Sequence, residues 1–107
     1  MKKNIFLLLF SILFTLNTIA QTLPKVTFGS IKRIETFKSN FTPDKNIIIW
    51  LPENYSTKKK YAVLYMHDGQ MLFDPNITWN KEAWEVDDVA SQLMKDGKIQ
   101  DCIIVGI

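Results

Sequence analysis

The sequence predicts an α/β fold: two antiparallel strands, then a parallel strand–helix–strand crossover. Three observations predict it. The runs Tyr61-Ala-Val-Leu-Tyr-Met66 and Asp101-Cys-Ile-Ile-Val-Gly-Ile107 lack the apolar–polar alternation of a half-exposed strand. Strands apolar on both faces belong inside parallel sheets that are covered on each side. Between them, Val86, Val89, Ala90 and Leu93 recur at i, i+3, i+4 and i+7, which is one apolar stripe of a helix.

The chain opens with Met1-Lys2-Lys3-Asn4 and an apolar run from Ile5 to Leu16. Thr18 and Ala20 then place small residues at the −3 and −1 positions of a cleavage site before Gln21. This is the pattern of a secretory signal peptide over residues 1–20. The run is short against the roughly 20 residues a membrane span needs. No cysteine adjoins the cleavage site, so a lipoprotein anchor is not indicated. The expected location is secreted or periplasmic, with no stable membrane association after cleavage.

In the remainder, Val26 to Lys38 alternates loosely and predicts a twisted, partly exposed strand. The stretch Phe41-Thr-Pro-Asp-Lys-Asn46 supplies turn chemistry. Asn46 to Leu51 predicts a second strand, ended by Pro52 and joined to the first closely enough to be its antiparallel neighbour. Asn54 to Lys60 is a polar loop, and Tyr61 to Met66 the third strand. It runs into His67-Asp68-Gly69-Gln70, where an active-site loop of a parallel sheet lies. Phe73 to Trp79 is an irregular loop marked by Asp-Pro-Asn. The helix is expected to start from Asn80 as N-cap, with Glu82 and Glu85 near its positive end. It closes with Lys95 in the last turn and Gly97 just past it. Asp101 to Ile107 is the last strand.

Charge excludes some partners. The 107 residues carry 13 basic and 11 acidic side chains. Lys2 and Lys3 leave with the signal, so 11 of each remain. No basic face argues for nucleic acid or anionic membrane. Lys58-Lys59-Lys60 is a solvated loop before a strand. Cys102 is the single cysteine and sits in an apolar run, so it is a buried small hydrophobe without a disulfide. Asn40, Asn54 and Asn76 each begin a glycosylation sequon.

A family resemblance rests on Ile48-Ile-Trp-Leu-Pro52, Tyr61 to Gln70, Phe73-Asp74, Trp84-x-Val-Asp87, Leu93 with Gly97-Lys-Ile99, and Ile103 to Ile107. In that order they resemble the opening of an α/β-hydrolase, and more narrowly the esterase-D-like putative esterase family. The resemblance covers about residues 45–107. It implies a serine carboxylic ester hydrolase in which Ser attacks, His takes the proton and an acidic residue orients the His. It also implies an oxyanion hole with one N–H from the residue after the nucleophile and one from the loop after the third strand. Here the second corresponds to the backbone N–H of Gln70, with Gly69 as the glycine that allows the tight turn.

The triad itself is not in the chain. No Ser lies in G-x-S-x-G: Ser30 lacks the second glycine and Ser91 is mid-helix. His67 precedes any nucleophile, against the fold's order of Ser, acid, His. With Ile107 in the middle of an apolar run, the expectation is an N-terminal portion, truncated before the nucleophile elbow and inactive alone. The expected substrate is a small-molecule or carbohydrate-linked ester, without a cofactor or metal. His67, Asp68 and Asp74 could ligate a metal, but turn chemistry explains them and no second His or Cys completes a site. Trp79 and Trp84 are expected to pack rather than to stack on sugars. Of Asp87 and Asp88, one is expected in solvent and the other in a local hydrogen bond. The rival function, a secreted carbohydrate-binding β-module, leaves the helix unexplained.

Overall fold

In the computed structural model, which describes residues 21–107, four strands form one mixed sheet in the order β1-β2-β4-β3. The predicted signal peptide lies outside the described residues. β1 (Ser30–Phe37) pairs antiparallel with β2 (Lys45–Leu51), as expected from their short connection. β2 pairs antiparallel with β4 (Cys102–Gly106), and β4 pairs parallel with β3 (Ala62–Met66). The helix α1 (Val86–Lys95) lies in the connection from β3 to β4. The predicted α/β class and the parallel crossover hold, and an all-β module does not fit.

The register fixes which residues share a face. Ile31, Trp50, Ile104 and Leu64 form one row across the sheet, and Arg33, Ile48, Gly106 and Met66 form the next. This face carries the core, where Ile48, Trp50, Cys102 and Ile104 pack with Leu72, Phe73 and Ala90. Trp50 is fully buried, and its indole N–H donates to the Phe28 carbonyl at 2.8 Å. A buried indole needs such a partner. The opposite face presents Ile47, Ile49, Val63, Tyr65, Ile103 and Val105, partly or wholly exposed among the described residues.

Three expectations need correction. β3 is not an inner strand among the described residues but an edge, with Val63, Leu64 and Tyr65 all exposed. The crossover inserts β4 between β2 and β3, so β4 takes the central, buried place. An unalternating apolar run records that both faces want cover, not where the strand stands in the sheet.

β1 starts at Ser30, not Val26. Gly29 has φ +77°, and a Cβ there would lie 2.2 Å from the Leu51 carbonyl oxygen. The chain turns there because only glycine fits. Residues 21–29 run as an irregular strap over the body of the fold.

The helix starts at Val86 with Glu85 at the N-cap position, five residues beyond the cap expected at Asn80. Asn80 instead accepts the Glu82 N–H in a local turn. Glu85 stands at the helix entry in a left-handed conformation, and the acidic residues of the first turn are Asp87 and Asp88. The core-facing residues are Val86, Ala90 and Met94, while Val89 is exposed. The C-terminus follows expectation. Gly97 has φ +67°, and Lys98 N–H to Leu93 O with Gly97 N–H to Met94 O completes a Schellman motif.

Candidate active site

The loop His67–Gln70 leaves the carboxyl end of β3 beside the carboxyl end of β4, where an α/β sheet gathers its chemistry. It is stitched to β4 by two backbone bonds. Ile107 N–H donates to Met66 O at 2.9 Å, and Gly69 N–H donates to Ile107 O at 3.3 Å. The left-handed residue of the turn is Asp68, at φ 57° and ψ 47°. Asp tolerates that region better than most side chains.

The reason for glycine at position 69 therefore differs from the one expected. Gly69 does not have positive φ. It is glycine because the loop backbone rests directly on β4: a Cβ on Gly69 would lie 2.8 Å from the Gly106 carbonyl carbon. The contact is reciprocal, since a Cβ on Gly106 would lie 2.8 Å from the Gly69 Cα. Two glycines facing each other let loop and strand touch backbone to backbone.

Gln70 follows in a single 3₁₀ turn, Gly69–Met71. Met71 N–H donates to Asp68 O at 2.8 Å and closes the turn. The early N–H groups of such a turn have no partner inside it. No acceptor among the described residues takes the Gln70 N–H. The Gln70 side chain is exposed and reaches Asp68 Oδ1 only at 3.5 Å. Asp68, Gly69 and Gln70 line a cleft of about 740 Å³ whose other walls include Ile48, Arg33 and Thr22. A second cleft, of about 430 Å³, lies at the opposite end of the parallel strands, near Pro52, Lys59 and Asp101. That is the wrong end for strand-end chemistry.

Other residues singled out by sequence fall elsewhere. His67 is exposed at the strand end. Asp74 turns away from it and is buried, so His67, Asp68 and Asp74 do not converge. The Asp74 Oδ2 accepts the Lys25 N–H at 2.8 Å, and its Oδ1 accepts the Asn76 N–H and Nδ2 at 2.9 Å each. The Lys25 N–H, ahead of the opposing effect of burial, holds this carboxyl below its ordinary value of 3.8. Ser30 lies in β1 and Ser91 in α1. Cys102 is buried, and burial raises its thiol pKa.

The packing expected of both tryptophans is not observed. Trp79 is 85% exposed and Trp84 is 51% exposed, because the loop after Pro75–Ile77 turns both rings outward. The reading of Asp87 and Asp88 is also corrected. Asp87 is fully buried, and its partner is distant in sequence: Oδ2 accepts the Thr27 N–H at 3.1 Å. Its Oδ1 has no partner, and burial raises its pKa above 3.8. Sequence reasoning missed these strap anchors. The available signal was helical spacing, since Asp87, Ala90 and Met94 stand at i, i+3 and i+7 on the core side.

Residues 39–107 match the family described as Putative esterase. Among solved structures, a feruloyl esterase module from Clostridium thermocellum, complexed with sinapinate, superposes with a TM-score of 0.52 at 22% identity. That match covers 78% of this chain and 28% of the other. A CE1 ferulic acid esterase from Anaeromyces mucronatus, in the absence of substrate, gives a TM-score of 0.54 at 24% identity, covering 83% of this chain and 32% of the other. These likenesses establish the shared fold, and the chain spans about a third or less of each structure it resembles. A search of curated proteins returns no match.

Proposed function

The chain belongs to the Putative esterase family, and from that premise we propose that it supplies the oxyanion side of a secreted, serine-type carboxylic ester hydrolase. The observation that carries the reading is the Gln70 N–H, which no described acceptor takes, on a turn seated against β4 at the carboxyl end of the parallel strands. In this reading a Ser hydroxyl adds to the ester carbonyl while a His accepts its proton, and an acidic residue orients that His. The carbonyl oxygen gains negative charge and is held by two N–H groups, one from Gln70 and one from the residue after the nucleophile. Collapse expels the alcohol, protonated by the His. Water then releases the acid by the same steps. One such donor lowers the barrier by about 3–4 kcal/mol. The scheme uses no cofactor and no metal.

No G-x-S-x-G elbow occurs in these 107 residues, and in this scheme the segment alone does not turn over an ester. Residues 21–107 form the N-terminal part of the esterase domain, and residues 1–20 export it. The substrate class is a small-molecule or carbohydrate-linked ester. Structural neighbours that are feruloyl esterases support that class, and balanced charge supports no nucleic acid partner. The test is to read the frame beyond Ile107 and assay the full-length protein on 4-nitrophenyl acetate. A G-x-S-x-G elbow, then an acid, then a His should follow, and Ser→Ala at the elbow should abolish turnover. A frame without an elbow, or an unaffected Ser→Ala variant, would falsify the assignment. Export is checked by intact mass, which should place Gln21 at the N-terminus of the mature protein.

A further inference from the structure

The strap from Gln21 to Gly29 is held down by groups that the esterase scheme does not use. Arg33 is the one nearest the cleft. Its Nη1 donates to the Gln21 carbonyl at 2.8 Å and its Nη2 to the Thr22 carbonyl at 3.1 Å. The side chain is only 7% exposed, and its buried Nε has no partner. Glu35, 4.0 Å away and 73% exposed, neutralises it weakly. Burying a guanidinium with one N–H unsatisfied is costly. The fork geometry is what holds two successive carbonyls at once, which a lysine cannot do.

The register shows what the clamp builds. Arg33, Ile48 and Gly106 lie in one row on one face. Gly69 rests on Gly106. From β1 at Arg33 to β4 at Gly106 is two strand spacings, about 10 Å between backbones. Ile48 is the floor between them. Gln21 and Thr22 line the same cleft as Gln70.

We propose that Arg33 is a positioning residue that pins Gln21 and Thr22 as the wall of the cleft opposite Gln70, and that this wall sets the size of the group the cleft accepts. The size-selection half rests on the esterase reading, while the pinning half does not. Walls carried on strands about 10 Å apart, backbone to backbone, leave room for about one ring-sized group. Without the clamp the wall swings out and small and large groups are discriminated less.

The experiment uses the full-length protein and two readouts. A nitroxide is attached at Gln21→Cys, Cys102 being buried, and its mobility is compared with and without Arg33→Met. kcat/KM is measured for 4-nitrophenyl acetate and 4-nitrophenyl benzoate in Arg33→Met, in a variant lacking Gln21 and Thr22, and in the combination. The label should become mobile in Arg33→Met. The benzoate-to-acetate ratio should shift about ten-fold in both single variants, mainly through KM, and no further in the combination. The deletion removes exposed residues only, so it keeps the test alive if Arg33→Met does not fold. An equally immobile label, or an unchanged ratio in the deletion variant, overturns the proposal. If the parent hydrolyses neither ester, the esterase reading fails, and label mobility alone decides the clamp.

Discussion

Replacing Gly69 by alanine puts one methyl group between the oxyanion-loop candidate and the strand beneath it. The new Cβ would sit 2.8 Å from the Gly106 carbonyl carbon and 3.1 Å from the Gly106 Cα and O. All three are backbone atoms of the central strand, so no side chain can rotate away and the loop itself must lift. Overpacking of this kind costs about 1–3 kcal/mol, and the lower unfolded-state entropy of alanine returns about 0.4–1 kcal/mol, leaving a net loss of about 1–2 kcal/mol. That lowers Tm by about 2–8 °C for a domain of about 150–250 residues. Turnover is the sharper readout. Lifting the loop withdraws the Gln70 N–H, a donor of a kind worth about 10²–10³ in kcat, so partial withdrawal should cost about ten-fold or more. Gly106→Ala should act with the same sign, its Cβ meeting Gly69 Cα at 2.8 Å. The two variants should be non-additive, because one contact serves both. Gly97→Ala is the control. Its φ of +67° strains any side chain but no atom lies within 4 Å, so it should lower Tm without changing kcat. Thermal unfolding and 4-nitrophenyl acetate hydrolysis of the full-length protein measure the three single variants and the Gly69→Ala/Gly106→Ala double variant. If Gly69→Ala melts with the parent and turns over at the parent rate, the backbone contact does not position the loop and the argument fails.

Gln70→Ala should retain most of the activity, since in the proposed scheme the backbone N–H, not the exposed side chain, is the donor; loss of turnover in kcat measurements would contradict this. Asp74→Asn should cost about 1.5–3 kcal/mol at neutral pH, because an amide cannot accept all three of its donors. The Asp74 carboxyl titrates below 3.8 when folded, so its stabilisation is present above 3.8 and is lost as pH falls through the lower folded value. Urea unfolding should therefore show a weaker acid dependence in Asp74→Asn than in the parent. Asp87 has the opposite sign. Burial raises its folded pKa, so this group costs stability as pH rises from 3.8 through the raised value. Asp87→Asn keeps an oxygen for the Thr27 N–H and removes the charge, and should match or exceed parental stability at pH 7 in the same assay. Asp87→Ala leaves that N–H unpaired and should lose about 1–3 kcal/mol.

Local pattern determined much of this protein. The unalternating runs at 61–66 and 101–107 gave two parallel strands, and the 3.6-residue spacing between them gave the helix. Gly97 ended that helix where a C′ glycine belongs. The polar turn after Met66 located the candidate site, because strand-end loops are legible from where an apolar run stops. What depends on residues far apart in sequence was not legible. Strand order follows from which edge the crossover returns to, so β4 rather than β3 became the centre. The helix start was not legible because Asn80 is a good cap in isolation, but the backbone N–H groups of Trp84 and Val86 bond to Met71 and Leu72 and hold the chain out of helix until then. Gly69 is glycine through contact with Gly106, 37 residues away, and no turn rule contains that information. Asp74 reads as turn chemistry, and Asp87 as a solvent charge or a local hydrogen-bond partner, because their donors, the N–H groups of Lys25 and Thr27, come from a strap 49 and 60 residues upstream. A carboxylate's burial is decided by what packs over it. Only the tertiary structure brings the strap, the sheet row beneath Arg33 and the Gln70 loop to one cleft.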